Sequence, residues 1–102
     1  MTEYLHSYVV NRLMHMRPLV EVCKATHVML LQYPSISLKI RNTPRADETI
    51  EYVDCSSILV LSLNLIGNRV GHTVDVRASG DLEETVLKEC ANIIGEIFTK
   101  AE

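Results

Sequence analysis

Apolar and polar residues alternate in some segments of the chain and follow helical spacing in others. The segment "YLHSYVVN", Tyr4 to Asn11, is rich in β-branched and aromatic residues and predicts a first strand. From Met16 to about Met29 the apolar residues follow a helical period, with Pro18 in the first turn, where its missing N–H costs little. The next segment, "SISLKIR", alternates apolar and polar residues and predicts a second strand.

The second half of the chain shows the same two patterns. A charged loop at 42–47 leads to "TIEYVD", residues 49–54, which predicts a third strand in a hairpin with the second. The alternation in "HTVDVRA", residues 72–78, predicts a fourth strand. Asp81 and Glu84 are spaced as in a capping box, so they predict the start of a long terminal helix. Its apolar stripe comprises Leu82, Val86, Leu87, Cys90, Ile93, Ile94, Ile97 and Phe98.

The segment "SSILVLSLNLIG", residues 56–67, fits both periods. Leu59, Leu61, Leu63 and Leu65 alternate as in a strand, whereas Ile58, Leu61, Leu65 and Ile66 form an equally good helical face. The serines at its start could cap a short helix, and Gly67-Asn68 could end it. Periodicity alone therefore leaves both readings open.

Composition indicates one domain over residues 1–102, with 47% hydrophobic and 23% charged residues. No apolar run approaches the roughly 20 residues of a membrane span, and the N-terminus lacks a signal-peptide pattern, so we expect a cytoplasmic protein. The formal charge of −3 and the absence of a Lys/Arg cluster argue against nucleic-acid binding. Cys23, Cys55 and Cys90 are widely spaced and odd in number, which favours buried thiols over disulfides or a metal site.

One motif and its context resemble a known family. His15-Met16-Arg17-Pro18 lies between the first strand and the first helix. Further along the chain come a Ser before "VLSL", then "VDVRASG", and then a terminal helix with an acidic start. In this order, over nearly the whole chain, these features resemble the histidine-containing phosphocarrier HPr of the bacterial phosphotransferase system.

This resemblance implies a fold and resolves the ambiguous segment as a helix. The implied fold is an α+β open-faced sandwich of order β-α-β-β-α-β-α, with a four-stranded antiparallel sheet covered on one face by three helices. The implied protein is a carrier and not an enzyme. It needs no cofactor or metal, is a monomer, and does not insert into membranes.

The resemblance also implies a function in sugar transport or in a nitrogen-type regulatory branch. His15 would accept a phosphoryl group from phospho-Enzyme I, which takes it from phosphoenolpyruvate, and would pass it to sugar-specific acceptor proteins. The regulatory kinase of the family, HPr kinase, would phosphorylate the serine that opens the second helix. That serine is Ser56 if "VLSL" is aligned without a gap, and Ser57 with one deletion. A plain helix cap is an equally good reading of it.

The chemistry of the motif supports the same role without the resemblance. A helix that begins just after His15 points the unpaired N–H groups of its first turn, including those of Met16 and Arg17, at a group bound to the imidazole. The Arg17 side chain can add charge-assisted hydrogen bonds to the same oxygens. Because phosphoryl transfer depends mainly on alignment and charge stabilisation, a small protein can act as a carrier without a deep pocket.

Simple structural roles are the alternatives for the histidines and for Cys23. A histidine near a helix start is, on motif grounds alone, more often a surface or capping residue than a nucleophile. Cys23 and His27 lie four residues apart and could form half of a metal site, but a core cysteine and a boundary histidine fit better. His6 and His72 receive no role.

The family's docking surface is an apolar patch beside the histidine, for which we expect Val20, Ser57 and Ile58. Two features set this chain apart from the usual HPr pattern. Bulky residues surround the motif where small ones are usual, and residues 42–48 appear as an insertion. The bulky residues are Leu13, Met14, Met16, Leu19 and Val20. A regulatory protein of the same fold that only binds partners is the alternative function.

Overall fold

Seven helices and strands are present in the computed structural model, which describes residues 1–42, 52–65 and 71–100. They are β1 (Thr2–Val9), α1 (Met16–Gln32), β2 (Ser37–Asn42), β3 (Val53–Asp54), α2 (Ile58–Leu65), β4 (Thr73–Gly80) and α3 (Glu84–Thr99). This order confirms the predicted β-α-β-β-α-β-α arrangement of an α+β fold. Within the segment that fits both periods, Ile58–Leu65 is a helix, and the predicted stop at Gly67-Asn68 lies outside the described residues. None of the described helices is long and apolar enough to cross a membrane.

The four strands form one antiparallel sheet in the order β1-β4-β2-β3. The helices cover one face, with α3 over β1 and β4, α2 beside β3, and α1 against the other two helices. The core lies under these helices, where every second residue of β2 and β4 is buried. These strand residues are Leu38, Ile40, Val74, Val76 and Ala78.

The other face of the sheet is polar. Asp75 of β4 is buried there and accepts a hydrogen bond from Ser7 of β1. It also forms an ion pair with Arg41 of β2, whose Nη2 lies 2.7 Å from Asp75 Oδ2. The guanidinium of Arg41 also lies 4.6 Å from the centre of the Tyr52 ring, a cation–π contact. A buried carboxylate is stable here because it is both hydrogen-bonded and ion-paired.

α3 approaches β1 closely because residue 95 is a glycine. A Cβ at Gly95 would lie 2.2 Å from the nearest atom of the Tyr8 ring, which is too close without movement. The hydroxyl of Tyr8 donates to the side-chain oxygen of Asn92 at 2.7 Å, so the ring is held in this position. The strand and the helix therefore meet across a contact that a side chain at residue 95 would disrupt.

The start of α3 differs from the prediction. The N-cap is Glu83 and not Asp81, and the Glu83 side chain makes no capping hydrogen bond, so the predicted capping box is wrong. β4 continues to Gly80, which leaves residues 81–83 as the connection and places Asp81 too early to cap. Within the predicted apolar stripe, Ile93 is 47% exposed. Ala91 and Gly95, which the predicted stripe does not include, are buried.

Other boundaries move by a few residues. β1 begins at Thr2 and ends at Val9, and α1 continues to Gln32, three residues past the predicted end. The third strand is confirmed at Val53–Asp54, while residues 49–51 lie outside the described part of the chain. The predicted insertion also falls outside it, apart from Asn42, which belongs to β2.

Candidate functional site

His15 is the residue that caps the N-terminus of α1. Its backbone is extended, with φ −124° and ψ −169°, as is usual for an N-cap. Its Nδ1 accepts a hydrogen bond from the backbone N–H of Arg17 at 3.3 Å. The ring therefore stands over the first turn of the helix, and Nδ1 is the ring nitrogen that faces the helix amides.

The first turn of α1 supplies few donors. Met16 and Arg17 are its first two residues, and Pro18, which is buried, is the third and has no N–H. Of the N–H groups of Met16 and Arg17, the one of Arg17 donates to Nδ1. Both residues are exposed, as is His15, so an incoming group can reach the imidazole and the Arg17 side chain from solvent.

Only part of the bulky sequence around the motif lies at the surface. Met14 and Leu19 are core residues, at 1% and 0% exposure, and anchor the loop and the helix from beneath. Leu13 and Met16 are about half exposed, at 47% and 48%, and Val20 is partly buried. The rim of the site is thus formed by fewer bulky residues than the sequence suggests.

α2 is fixed to α1 through the backbone of Ser56. The carbonyl of Ser56 accepts from the Cys23 thiol at 3.3 Å and lies 2.9 Å from His27 Nε2. Asp54 Oδ1 accepts from the N–H and the hydroxyl of Ser56 at 2.8 and 2.7 Å. Cys23 and His27 thus serve as hydrogen-bonding partners between the helices, and no cluster of three or more metal-binding side chains occurs among the described residues.

Ser57, and not Ser56, stands at the helix start. α2 begins at Ile58, and Ser57 Oγ accepts from the N–H of Val60 at 3.3 Å. The Ser57 carbonyl accepts the first helical hydrogen bond, from Leu61 N at 3.0 Å. Of the two alignments considered from the sequence, the one with a deletion therefore places a serine at the N-cap.

The outer side of α2 is apolar, which the sequence reading did not anticipate. Leu59 and Leu63, four residues apart, are 67% and 78% exposed, while Leu61 and Leu65 are fully buried on the opposite side. Ile58 is half-buried and packs against the core. The exposed leucines could have been found from the sequence, because a helix with one buried face leaves alternate leucines outside.

The three thiols differ in how deeply they are buried. Cys55 is buried at 0% exposure and Cys90 at 3%, and Cys23 is partly buried, as predicted for small apolar side chains. Burial raises the pKa of Cys55 and of Cys90 above that of a free thiol. Burial therefore favours the protonated form of both thiols.

Comparison of the sequence with models of known protein families and with curated proteins gave no match. The fold and the geometry at His15 therefore carry the functional argument.

Proposed function

We propose that this protein is a phosphoryl carrier of the HPr type, which accepts a phosphoryl group on His15 from phospho-Enzyme I and passes it to acceptor proteins of a phosphotransferase system. The observation that carries the proposal is the contact between His15 Nδ1 and the first turn of α1 at 3.3 Å. A phosphoryl group on Nδ1 would lie against backbone N–H groups of the first turn, at the positive end of the helix. The exposed guanidinium of Arg17 can reach the same oxygens.

The transfer step follows from this geometry. The lone pair of Nδ1 attacks phosphorus, and the bond from phosphorus to the donor atom of Enzyme I breaks, with its electron pair leaving on the donor. The N–H of Arg17, which Nδ1 accepts in the resting protein, is then free to donate to a phosphoryl oxygen. The exposed position of His15 suits a carrier, because donor and acceptor proteins must reach the same nitrogen in turn.

The partner surface belongs to the same proposal. Val20 and the exposed Met16, Leu59 and Leu63 supply apolar area on the two neighbouring helices α1 and α2, and Ser57 lies at the start of α2. Exposed apolar area of this kind is typical of protein-binding surfaces. Enzyme I and the sugar-specific acceptors would dock there, and HPr kinase would modify the serine at the start of α2.

The test is phosphorylation by Enzyme I and phosphoenolpyruvate. We expect an acid-labile, base-stable adduct at His15 Nδ1, identified by NMR of the imidazole, that is lost in His15→Ala and retained in His72→Ala. Arg17→Ala should slow transfer about 10- to 100-fold, since charge-assisted hydrogen bonds to the phosphoryl group are lost. Its melting temperature should change little, because Arg17 is exposed.

Two results would contradict the proposal. One is an adduct on another residue, or none with the cognate Enzyme I. The other is an Arg17→Ala protein that unfolds like a core variant, which would make Arg17 structural. Arg77→Ala, at an arginine on the opposite face of the sheet, is the control for a general loss of positive charge.

A second candidate function is favoured by the apolar side of α2. Leu59 and Leu63 are exposed whether or not His15 is used, so the protein could bind regulatory partners without relaying a phosphoryl group. In that case His15→Ala would bind its partner as tightly as the unchanged protein, whereas Leu59→Ser with Leu63→Ser would not.

A further inference from the structure

Arg12 lies on the loop that leads from β1 to His15 and has an incompletely paired side chain. Its Nε is buried and has no hydrogen-bond partner among the described residues. Its Nη1 donates to the Ile97 carbonyl, but only at 3.4 Å, which is long for such a bond. A buried charged donor without a partner costs free energy, so this side chain gains if an acceptor comes within reach.

The loop is held against the C-terminus of α3. The N–H of Asn11 donates to the carbonyl of Phe98 at 2.8 Å, next to the contact between Arg12 and Ile97. The last carbonyls of a helix form its negative end, which would repel a phosphoryl group nearby. Arg12 places a positive charge at this end.

Arg12 is also close to His15 along the chain. They are three positions apart in the sequence, so their Cα atoms are at most about 11 Å apart. The Arg12 side chain is long, and its guanidinium is planar and carries five donors suited to phosphoryl oxygens. The long Nη1 contact with the Ile97 carbonyl is one that the Arg12 side chain can exchange for a stronger acceptor.

We propose that Arg12 is a second phosphate-binding residue, which donates to the phosphoryl oxygens when His15 is phosphorylated and offsets the negative end of α3 beside them. This inference rests on the proposed function of His15. It extends the site beyond Arg17 and the helix amides, to a residue on the opposite side of His15 in the sequence.

Phosphoramidate, a small phosphoryl donor that needs no Enzyme I, allows a test of Arg12 alone. The pKa of the phosphoryl group on His15 is measured by ³¹P NMR in the unchanged protein, Arg12→Gln and Arg12→Lys. We expect Arg12→Gln to raise this pKa by about half a unit, since a partly exposed cation that favours the dianion is lost. Arg12→Lys should restore part of the effect.

Arg77→Gln is the matched control, because the buried Nε of Arg77 also has no partner within the described part of the chain, but Arg77 lies on the polar face of the sheet. It should leave the phosphoryl pKa unchanged. A measurement without substitution gives an independent answer, since the Nε–H signal of Arg12 should shift when His15 is phosphorylated. This second measurement decides the question if Arg12→Gln does not fold.

The outcomes separate the two proposals. If neither phosphoramidate nor phospho-Enzyme I modifies His15, the proposed function fails and this inference fails with it. If His15 is modified but Arg12→Gln only lowers the melting temperature, or the Arg12 Nε–H signal does not move, Arg12 merely caps α3 and the carrier function stands.

Discussion

At the start of α1, the orientation of one imidazole ring determines which nitrogen of His15 faces the helix. The sequence predicts a histidine at a helix N-terminus, because Pro18 and the apolar period place the first turn just after it. It does not predict that Nδ1 accepts from Arg17 N, since this depends on the side-chain torsions of His15. Nor does the sequence predict which of Ser56 and Ser57 caps α2, because this depends on the residue at which the helix begins.

Aspartate substitutions distinguish these two serines. Ser57→Asp should leave the free energy of unfolding within about 0.5 kcal/mol, since a carboxylate also caps a helix and suits its positive end. Ser56→Asp should cost about 1–2 kcal/mol, because the hydroxyl bond to Asp54 is lost and a second carboxylate is placed beside it. Urea unfolding of the two variants measures the difference.

The same variants test the regulatory role proposed for the helix start. Ser57→Asp should slow phosphorylation of His15 by Enzyme I, since the added charge lies beside the apolar docking surface. Ser57→Ala, which removes the cap without adding charge, is the control. If Ser56→Asp and Ser57→Asp are both folded and both accept the phosphoryl group at the normal rate, the serine is a cap and carries no regulatory mark.

The sequence predicts which segments form helices and which form strands, but it does not predict where each of them begins and ends. α1 and α3 show clear helical periods, and β2 and β4 alternate cleanly, so these four were identified from local pattern. α2 fits both periods and was resolved only through the resemblance to HPr. The start of α3 was predicted wrongly because Asp81 and Glu84 have capping spacing, whereas the length of β4 decides where the helix can begin.

Gly95→Ala should destabilise the contact between α3 and β1. The new methyl group would overlap the Tyr8 ring, which Asn92 holds in place, and we expect a loss of about 1–3 kcal/mol in the free energy of unfolding. This is the net loss, after the gain of about 1 kcal/mol in helix propensity when alanine replaces glycine. Chemical denaturation of the variant and of Glu89→Ala, an exposed position on the same helix, measures the effect.

A double-substitution experiment shows whether the Tyr8 ring is the cause. In a Tyr8→Ala background the overlap is absent, so Gly95→Ala should be neutral or slightly stabilising. A full loss of stability in that background would mean that some other contact excludes a side chain at residue 95.

Across the whole molecule, the apolar core was predictable and the polar sheet face was not. The buried residues of β2 and β4 follow from alternation, but the group of Ser7, Arg41 and Asp75 does not. Its members are 34 to 68 residues apart in the chain and meet only because β4 lies between β1 and β2. Pattern within a segment cannot reveal a contact that depends on strand order.

The folded protein should lose stability above about pH 9. Burial raises the pKa of Cys55 and Cys90 above the free value of 9.0, and raises that of Tyr8 from 10.0 to about 12. The unfolded chain releases these protons first, so unfolding becomes more favourable as pH rises, by about 1.4 kcal/mol per pH unit for each such proton. Below pH 9 these groups are protonated in both states, so they contribute no slope.

Urea unfolding between pH 7 and 11 measures this slope. Cys55→Ala should reduce it from pH 9 upward, whereas Ile94→Val, a core substitution without a titratable proton, should lower stability equally at every pH. An unchanged slope in Cys55→Ala would show that the Cys55 thiol reaches solvent and ionises in the folded protein.

The position of β4 between β1 and β2 has a consequence for biosynthesis. When a ribosome has released β1, α1 and β2, neither of the two strands has its main partner, because both pair with residues 73–80. Loop closure over this distance is slow compared with local helix formation. The nascent chain must therefore keep two strands unpaired until β4 emerges from the exit tunnel, and during that interval they are the segments that a chaperone would need to protect.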